Sequence, residues 1–209
     1  MRNKELTKKK IITAVGDIFK EEGYEGIGIN KIAKKAGVDK KLIYRYFNSM
    51  DELLEAYVVE KDYWMTFSNK NEEAHPPKAY QNNKDLFIDL FQNQWKFFSS
   101  EPEMQSLIMW ELSGESELMK SIHNVREMFG QGVFKLTDEH FKDSGVNIRA
   151  ISALIVGGIY YAILHSRHNG NIICDVDVRS KEGNKEMLKA IRQIVEWAFE
   201  AADKKDVTK

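Results

Sequence analysis

The 209-residue sequence contains one cysteine, Cys174. A lone thiol excludes an internal disulfide and a thiolate-rich metal site, and it suits a reducing compartment, so a cytoplasmic location is expected. Proline is almost as scarce, with three in all. Turn-forming clusters are few, and long charged-plus-apolar stretches run without a break, as in a mostly helical chain. The start, "MRNKELTKKK", has no apolar segment of the kind a secretory signal needs. The longest uncharged run, Ala150–Ser166, is 17 residues with two central glycines. A membrane span takes about 20 mostly apolar residues, so this run reads as a buried helix and no membrane partner is expected. Neither a glycine-rich phosphate loop nor a nucleophile elbow occurs. His165 and His168 share a helix face by their spacing, but Asp175 and Asp177 sit beyond them on a loop without a third close ligand. No catalytic residue, metal or cofactor is therefore expected, and the chain is not read as an enzyme.

What the chain does have is an uneven charge. Residues 1–50 hold 12 Lys+Arg against 6 Asp+Glu, a net of +6; the remainder holds 19 against 26, a net of −7. A basic head on an acidic body points to nucleic acid at the N-terminal end.

Hydrophobic spacing places a first helix from a cap at Thr7 to near Gly23, with Ile11, Ile12, Val15, Ile18 and Phe19 on one face. A short helix follows from Asn30 to Ala36. Gly37 then suits a left-handed turn, and Asp39 suits an N-cap for a helix over about 40–47. A longer helix restarts in "NSMDELLEAYVVEKDYW", and "NKNEEAHPPKAYQNNK" is a loop. Helices are further expected at about 84–99, 103–113, 115–141, 147–168 and 184–203, with a loop between the last two that has room for a few extended residues. The fold class is all-α, with about nine helices.

The second and third helices, joined through Gly37, form a helix-turn-helix. Ile43 and Phe47 anchor the third helix inward. Lys40, Lys41, Leu42, Tyr44, Arg45 and Tyr46 are left on outward or flanking positions, where cations and hydroxyls meet base edges and phosphates in a major groove.

The stretch "GYEGIGINKIAKKAGVDKKLIYRYFNSMDELLEAYV", residues 23–58, resembles the TetR family of transcriptional regulators. Over the rest of the chain the likeness is one of helix count and order. The resemblance implies a homodimer with an N-terminal DNA-binding domain, here 1–48, and a helical ligand-binding and dimerisation domain, here 49–209. It also implies that Asn30 touches a base or phosphate. The sequence departs from the family pattern at Ile27 and Gly28, where a capping hydroxyl is usual. Lys41 stands at a position often small, Leu42 at one often hydroxylated, and Met50 where a lysine is common.

In the body, Ile151, Leu154, Ile155 and Ile159, with Ile191, Ile194, Val195 and Phe199 of the last helix, are expected to pack against a second copy as a four-helix bundle. Trp64, Phe67, Phe91, Trp95, Trp110 and His123 belong to an aromatic- and methionine-rich region suited to an apolar ligand. Each of them equally suits an ordinary core. Together these features point to a regulator, a repressor by family analogy, released from a pseudo-palindromic double-stranded operator by a small, largely apolar inducer. The alternative is a helical small-molecule-binding protein with no role on DNA.

Overall fold

The computed structural model describes residues 2–64, 80, 82–113 and 117–204. Among them lie ten α-helices, nine of seven residues or more, and one hairpin of two-residue strands. The all-α expectation holds. The chain packs as two units, Met1–Lys70 with Pro102–Arg126, and Asn71–Glu101 with Glu127–Lys209. The expected loop around Pro76-Pro77 lies largely outside the described residues, and Phe67 lies outside them as well.

The first unit holds α1 (Arg2–Glu22), a 3-10 turn (Tyr24–Gly26), α2 (Ile29–Ala36), α3 (Lys40–Phe47) and α4 (Met50–Lys61). After α5 (Asn83–Ser100), which belongs to the second unit, come α6 (Pro102–Ser113) and the first turns of α7 (Glu117–Lys135). α1 begins five residues before the expected Thr7 cap. No glycine or proline interrupts residues 2–7, and Glu5 in the first turn suits the helix dipole, so Thr7 is carried inside the helix.

The core of this unit forms where α1 meets α2, α4 and α6. Ile11, Val15 and Ile18 of α1 are buried, as are Ile32 of α2, Ile43 of α3 and Leu53 of α4. Gly16 allows a close approach: a Cβ there would stand 2.9 Å from Glu103 Oε1 and 3.1 Å from the Tyr57 ring. Glu103 is buried and receives Lys20 Nζ at 2.9 Å and Lys61 Nζ at 3.4 Å, which ties α6 to both α1 and α4.

Tyr57 lies beside this carboxylate, and its buried hydroxyl has no hydrogen-bond partner among the described residues. Burial raises its pKa above the ordinary tyrosine value, and the negative charges of Glu103, Glu60 and Asp17 push it further the same way. The unfolded chain releases this proton near pH 10, whereas the folded chain keeps it. The stability linked to Tyr57 is therefore whole below that pH and is lost as pH rises beyond it. Tyr57→Phe is expected to fold with equal or greater stability at neutral pH, because it removes an unpaired polar atom. Its denaturant midpoint should also fall less steeply above about pH 10. A clear loss of neutral-pH stability in urea titrations would show that the hydroxyl has a partner.

The second unit holds α5, the last turns of α7, α8 (Asp138–Phe141), α9 (Ile148–His168), β1 (Ile172–Ile173), β2 (Val176–Asp177) and α10 (Lys181–Asp203). The helix expected over 115–141 stops at Lys135 and resumes as the short α8. Thr137 is fully buried, and both its hydroxyl and its amide donate to the Phe134 carbonyl at 2.9 Å, which closes the end of α7. The strands pair antiparallel, Ile172 with Asp177 and Ile173 with Val176.

α5 packs against α9 and α10. By length and composition α9 is apolar enough to cross a membrane, but Ile148, Ile155, Ile159 and Ile163 are buried in the unit. Within the single chain this helix is buried along one stripe, with Leu154 78% and Tyr161 60% exposed. This divides the eight residues expected at a dimer surface. Ile155, Ile159, Ile191, Val195 and Phe199 are closed inside the unit's own core, Ile151 is half-buried, and Leu154 and Ile194 are exposed. α9 and α10 each have two apolar sides, and the isoleucine-rich one faces inward.

Candidate nucleic-acid interface

α2 starts at Gly28 without any side-chain cap, as the missing hydroxyl at Ile27 and Gly28 implied. It ends on Gly37, whose φ of 66° puts it in the left-handed region that glycine enters without strain. The Asp39 carboxylate then accepts the Lys41 amide at 2.7 Å and fixes the first turn of α3. Ile43 and Phe47 sink into the core. Their burial sets the rotation of α3, since side chains advance about 100° per residue around a helix.

With that rotation fixed, Lys40, Tyr44, Lys41 and Arg45 fall on one continuous exposed arc, and all four are exposed. No carboxylate among the described residues pairs with Lys40, Lys41 or Arg45. Leu42 and Tyr46 sit at the margin of the arc, both half-buried. Asn30 is exposed in the first turn of α2.

Two of the α2 lysines are occupied structurally. Lys31 bonds Glu22 and Lys35 bonds Glu21, each at 2.5 Å, which staples α2 to the end of α1. Past α3, Asn48 takes a positive φ of 57° and bonds Glu52 at 2.7 Å. Ser49 caps α4 by accepting the Glu52 amide at 3.1 Å. Met50, where a family lysine is common, is half-buried at the head of α4.

Two cations that the sequence reading passed over border this arc. Lys4 Nζ lies over the Tyr46 ring and Lys8 Nζ over the Phe47 ring, each 5.8 Å from the centroid. Both sit on the part of α1 around the misplaced Thr7 cap, and their i,i+4 spacing was the available signal.

The residues considered for an apolar ligand are not brought together by either unit alone. Trp64, Trp110 and His123 belong to the first unit, and Phe91 and Trp95 to the second. His123 is exposed and Trp64 half-buried. The Trp110 ring stacks on Tyr24 at 3.9 Å. Phe91 and Trp95 are buried core residues. Among the described residues no group of three His, Cys, Asp or Glu side chains is placed to hold a metal, and His165 stacks on Tyr161.

Residues 11–57 match the sequence profile of the bacterial regulatory proteins of the tetR family. A stretch of 57 residues is 40% identical to an HTH-type transcriptional regulator of Mycobacterium tuberculosis, covering 27% of this chain and 28% of that one. The probable HTH-type transcriptional regulator YttP of Bacillus subtilis is 25% identical over 133 residues, 64% of this chain and 63% of YttP. The chain thus spans between about a quarter and under two thirds of the length of these relatives.

Solved structures share the fold over nearly the whole length. FadR of Bacillus subtilis, solved in complex with stearoyl-CoA, gives a TM-score of 0.64 at 19% identity over 92% of this chain and 98% of its own. FadR of Bacillus halodurans gives 0.67 at 21% identity over 90% and 94%. Residues 11–57 thus form a domain of the kind that the bacterial regulatory proteins of the tetR family carry, set in a chain whose fold the FadR structures share.

Proposed function

We propose that the protein is a cytoplasmic transcriptional regulator whose head, residues 1–48, reads double-stranded DNA through α3. The observation that carries this reading is the arc of Lys40, Lys41, Tyr44 and Arg45. All four are exposed on a helix whose Ile43 and Phe47 are buried, and its cations have no carboxylate partner among the described residues. Cations left unpaired on a rigid, short helix suit the guanine edge and the phosphate oxygens. Asn30 joins them from α2, while Leu42 and Tyr46 flank the arc.

In the body, residues 49–209, the exposed apolar side chains Leu154, Tyr161, Ile194 and Trp197 form the surface that a second copy covers in a homodimer. A two-fold protein matches a pseudo-palindromic operator. The regulator acts as a repressor, released when a small, largely apolar ligand binds the body. The stearoyl-CoA held by Bacillus subtilis FadR makes long acyl thioesters the first class to try.

One titration tests this reading, with duplexes selected by the protein from genomic fragments and followed by fluorescence anisotropy and sedimentation. The wild type is expected to bind tightly at moderate salt as two protomers per duplex. Arg45→Ala and Lys40→Ala should each lose at least about fivefold in affinity, the lower end for a bidentate base contact. Retention unchanged in both variants overturns the DNA reading, and one protomer per duplex overturns its two-fold part. Affinity unaltered by added stearoyl-CoA removes long acyl thioesters as the releasing ligand.

A further inference from the structure

We infer that the start of α1 is a second DNA contact, with Lys4 and Lys8 forming a phosphate clamp that grips the strand beside the base-reading arc. The inference rests on the DNA-reading role of α3 and adds a site to it. Because α1 begins at Arg2 rather than Thr7, Lys4 and Lys8 stand one turn apart on the same helix face. That face lies along the C-terminal half of α3, with each ammonium 5.8 Å from the centre of an α3 ring, Tyr46 for Lys4 and Phe47 for Lys8. A cation resting on a ring face keeps its charge and holds its stem in place. The half-buried Tyr46 is thus a seat for Lys4 more than a reader of bases.

Helix stability does not explain these cations. The N-terminal turns of a helix favour acids, because the unsatisfied amides there carry partial positive charge. Yet residues 1–10 hold Arg2, Lys4, Lys8, Lys9 and Lys10 against the single acid Glu5, a net of +4. No carboxylate among the described residues pairs with Lys4 or Lys8, whereas Lys31 and Lys35 of α2 are both spent on α1 acids. The positive charge at the start of α1 is therefore available to a partner that is itself negative.

Geometry selects the duplex already engaged by α3. A recognition helix directs its N-terminal side chains to base edges, and its flanks lie against the backbone. Lys4 and Lys8 occupy such a flank, at the end of α3 away from Lys40 and Lys41. They also stand in for what the chain lacks elsewhere, since α2 has no capping hydroxyl and Met50 supplies no cation at the head of α4.

The test is the salt dependence of binding to a short duplex of unrelated sequence and to the selected operator. It compares wild type, Lys4→Ala/Lys8→Ala, Lys4→Arg/Lys8→Arg and Arg45→Ala. Each phosphate neutralised contributes about 0.9 to the slope of log affinity against log salt. The alanine pair should therefore flatten that slope by about 1.8 per protomer on both duplexes. The arginine pair should keep the wild-type slope, and Arg45→Ala should mainly reduce the preference for the operator. An unchanged slope in the alanine pair, with Arg45→Ala impaired, overturns this clamp and leaves the role of α3 standing. If Arg45→Ala also binds both duplexes as the wild type does, the role of α3 fails and the clamp fails with it.

Discussion

Arg126→Ala is expected to destabilise the protein by about 3–5 kcal/mol, the cost of leaving buried charge without its partner. Asp62 terminates α4 and is fully buried. Its carboxylate accepts Arg126 Nε at 2.7 Å and also the Trp64 amide at 2.9 Å. The same guanidinium reaches Glu111 of α6 at 2.5 Å, and its own side chain is 10% exposed. One cation from α7 thus joins the end of α4 to α6. Alanine removes it and leaves two carboxylates facing each other, one of them with no access to water. For a chain of this length each kcal/mol moves the melting temperature by about 2–4 °C, so a drop of roughly 6–20 °C is expected in calorimetry at neutral pH. Asp62→Leu combined with Arg126→Met should recover much of the loss, since an apolar pair of similar volume carries no buried charge. A drop in Arg126→Ala of under about 1 kcal/mol would place the triad in solvent, where such pairs contribute little.

The parts of the chain that could be read beforehand are those where local chemistry decides structure. Gly37 and Asp39 fix the turn and the start of α3 by backbone preference and by one side-chain hydrogen bond, both written in neighbouring residues. The 40–47 boundaries match for that reason. Thr7 misled because a threonine caps a helix only if the chain before it leaves the helical conformation, and residues 2–6 contain nothing that makes it do so. The break after Lys135 was invisible for the opposite reason. It goes with Thr137 being fully buried and bonded back to Phe134, and with Asn83 of α5 donating to the Leu136 carbonyl at 2.6 Å, a contact that no neighbouring residue announces. α9 and α10 show a third limit. Periodicity identifies apolar positions, but a helix with two apolar sides does not say which side its own chain covers. Ile155, Ile159, Ile163 and Ile191 went inward, and Leu154, Tyr161, Ile194 and Trp197 were left outside. Lys4 and Lys8 escaped notice because their importance comes from the rings beneath them, which are some forty residues away in sequence.

Trp95→Ala is the second large effect, an expected loss of about 3–5 kcal/mol for removing a buried aromatic side chain. The residue had two readings, ligand contact and core, and its surroundings separate them. Trp95 is 1% exposed, and its indole Nε1 donates to Asn184 Oδ1 of α10 at 2.6 Å. One turn away on α5, the Gln92 side-chain amide donates to the Leu188 carbonyl at 2.8 Å. Residue numbers rise along α5 as they fall along α10, so the two bonds sew the helices together antiparallel. Alanine at 95 empties the volume between them and leaves the Asn184 carbonyl oxygen without its donor. Trp95→Phe keeps most of the apolar volume and loses the bond, so a smaller loss of about 1 kcal/mol is expected. Urea unfolding followed by far-ultraviolet circular dichroism checks both, and the midpoints should order as wild type, phenylalanine, then alanine. An indole that lined a ligand cavity would behave otherwise. Its removal would open space onto an existing void at little cost in stability, and the change would appear in the response of operator binding to ligand. A near-neutral Trp95→Ala with an altered ligand response would thus return the residue to the ligand site. The hydrogen bond to Asn184 and the closed packing predict the reverse order of effects.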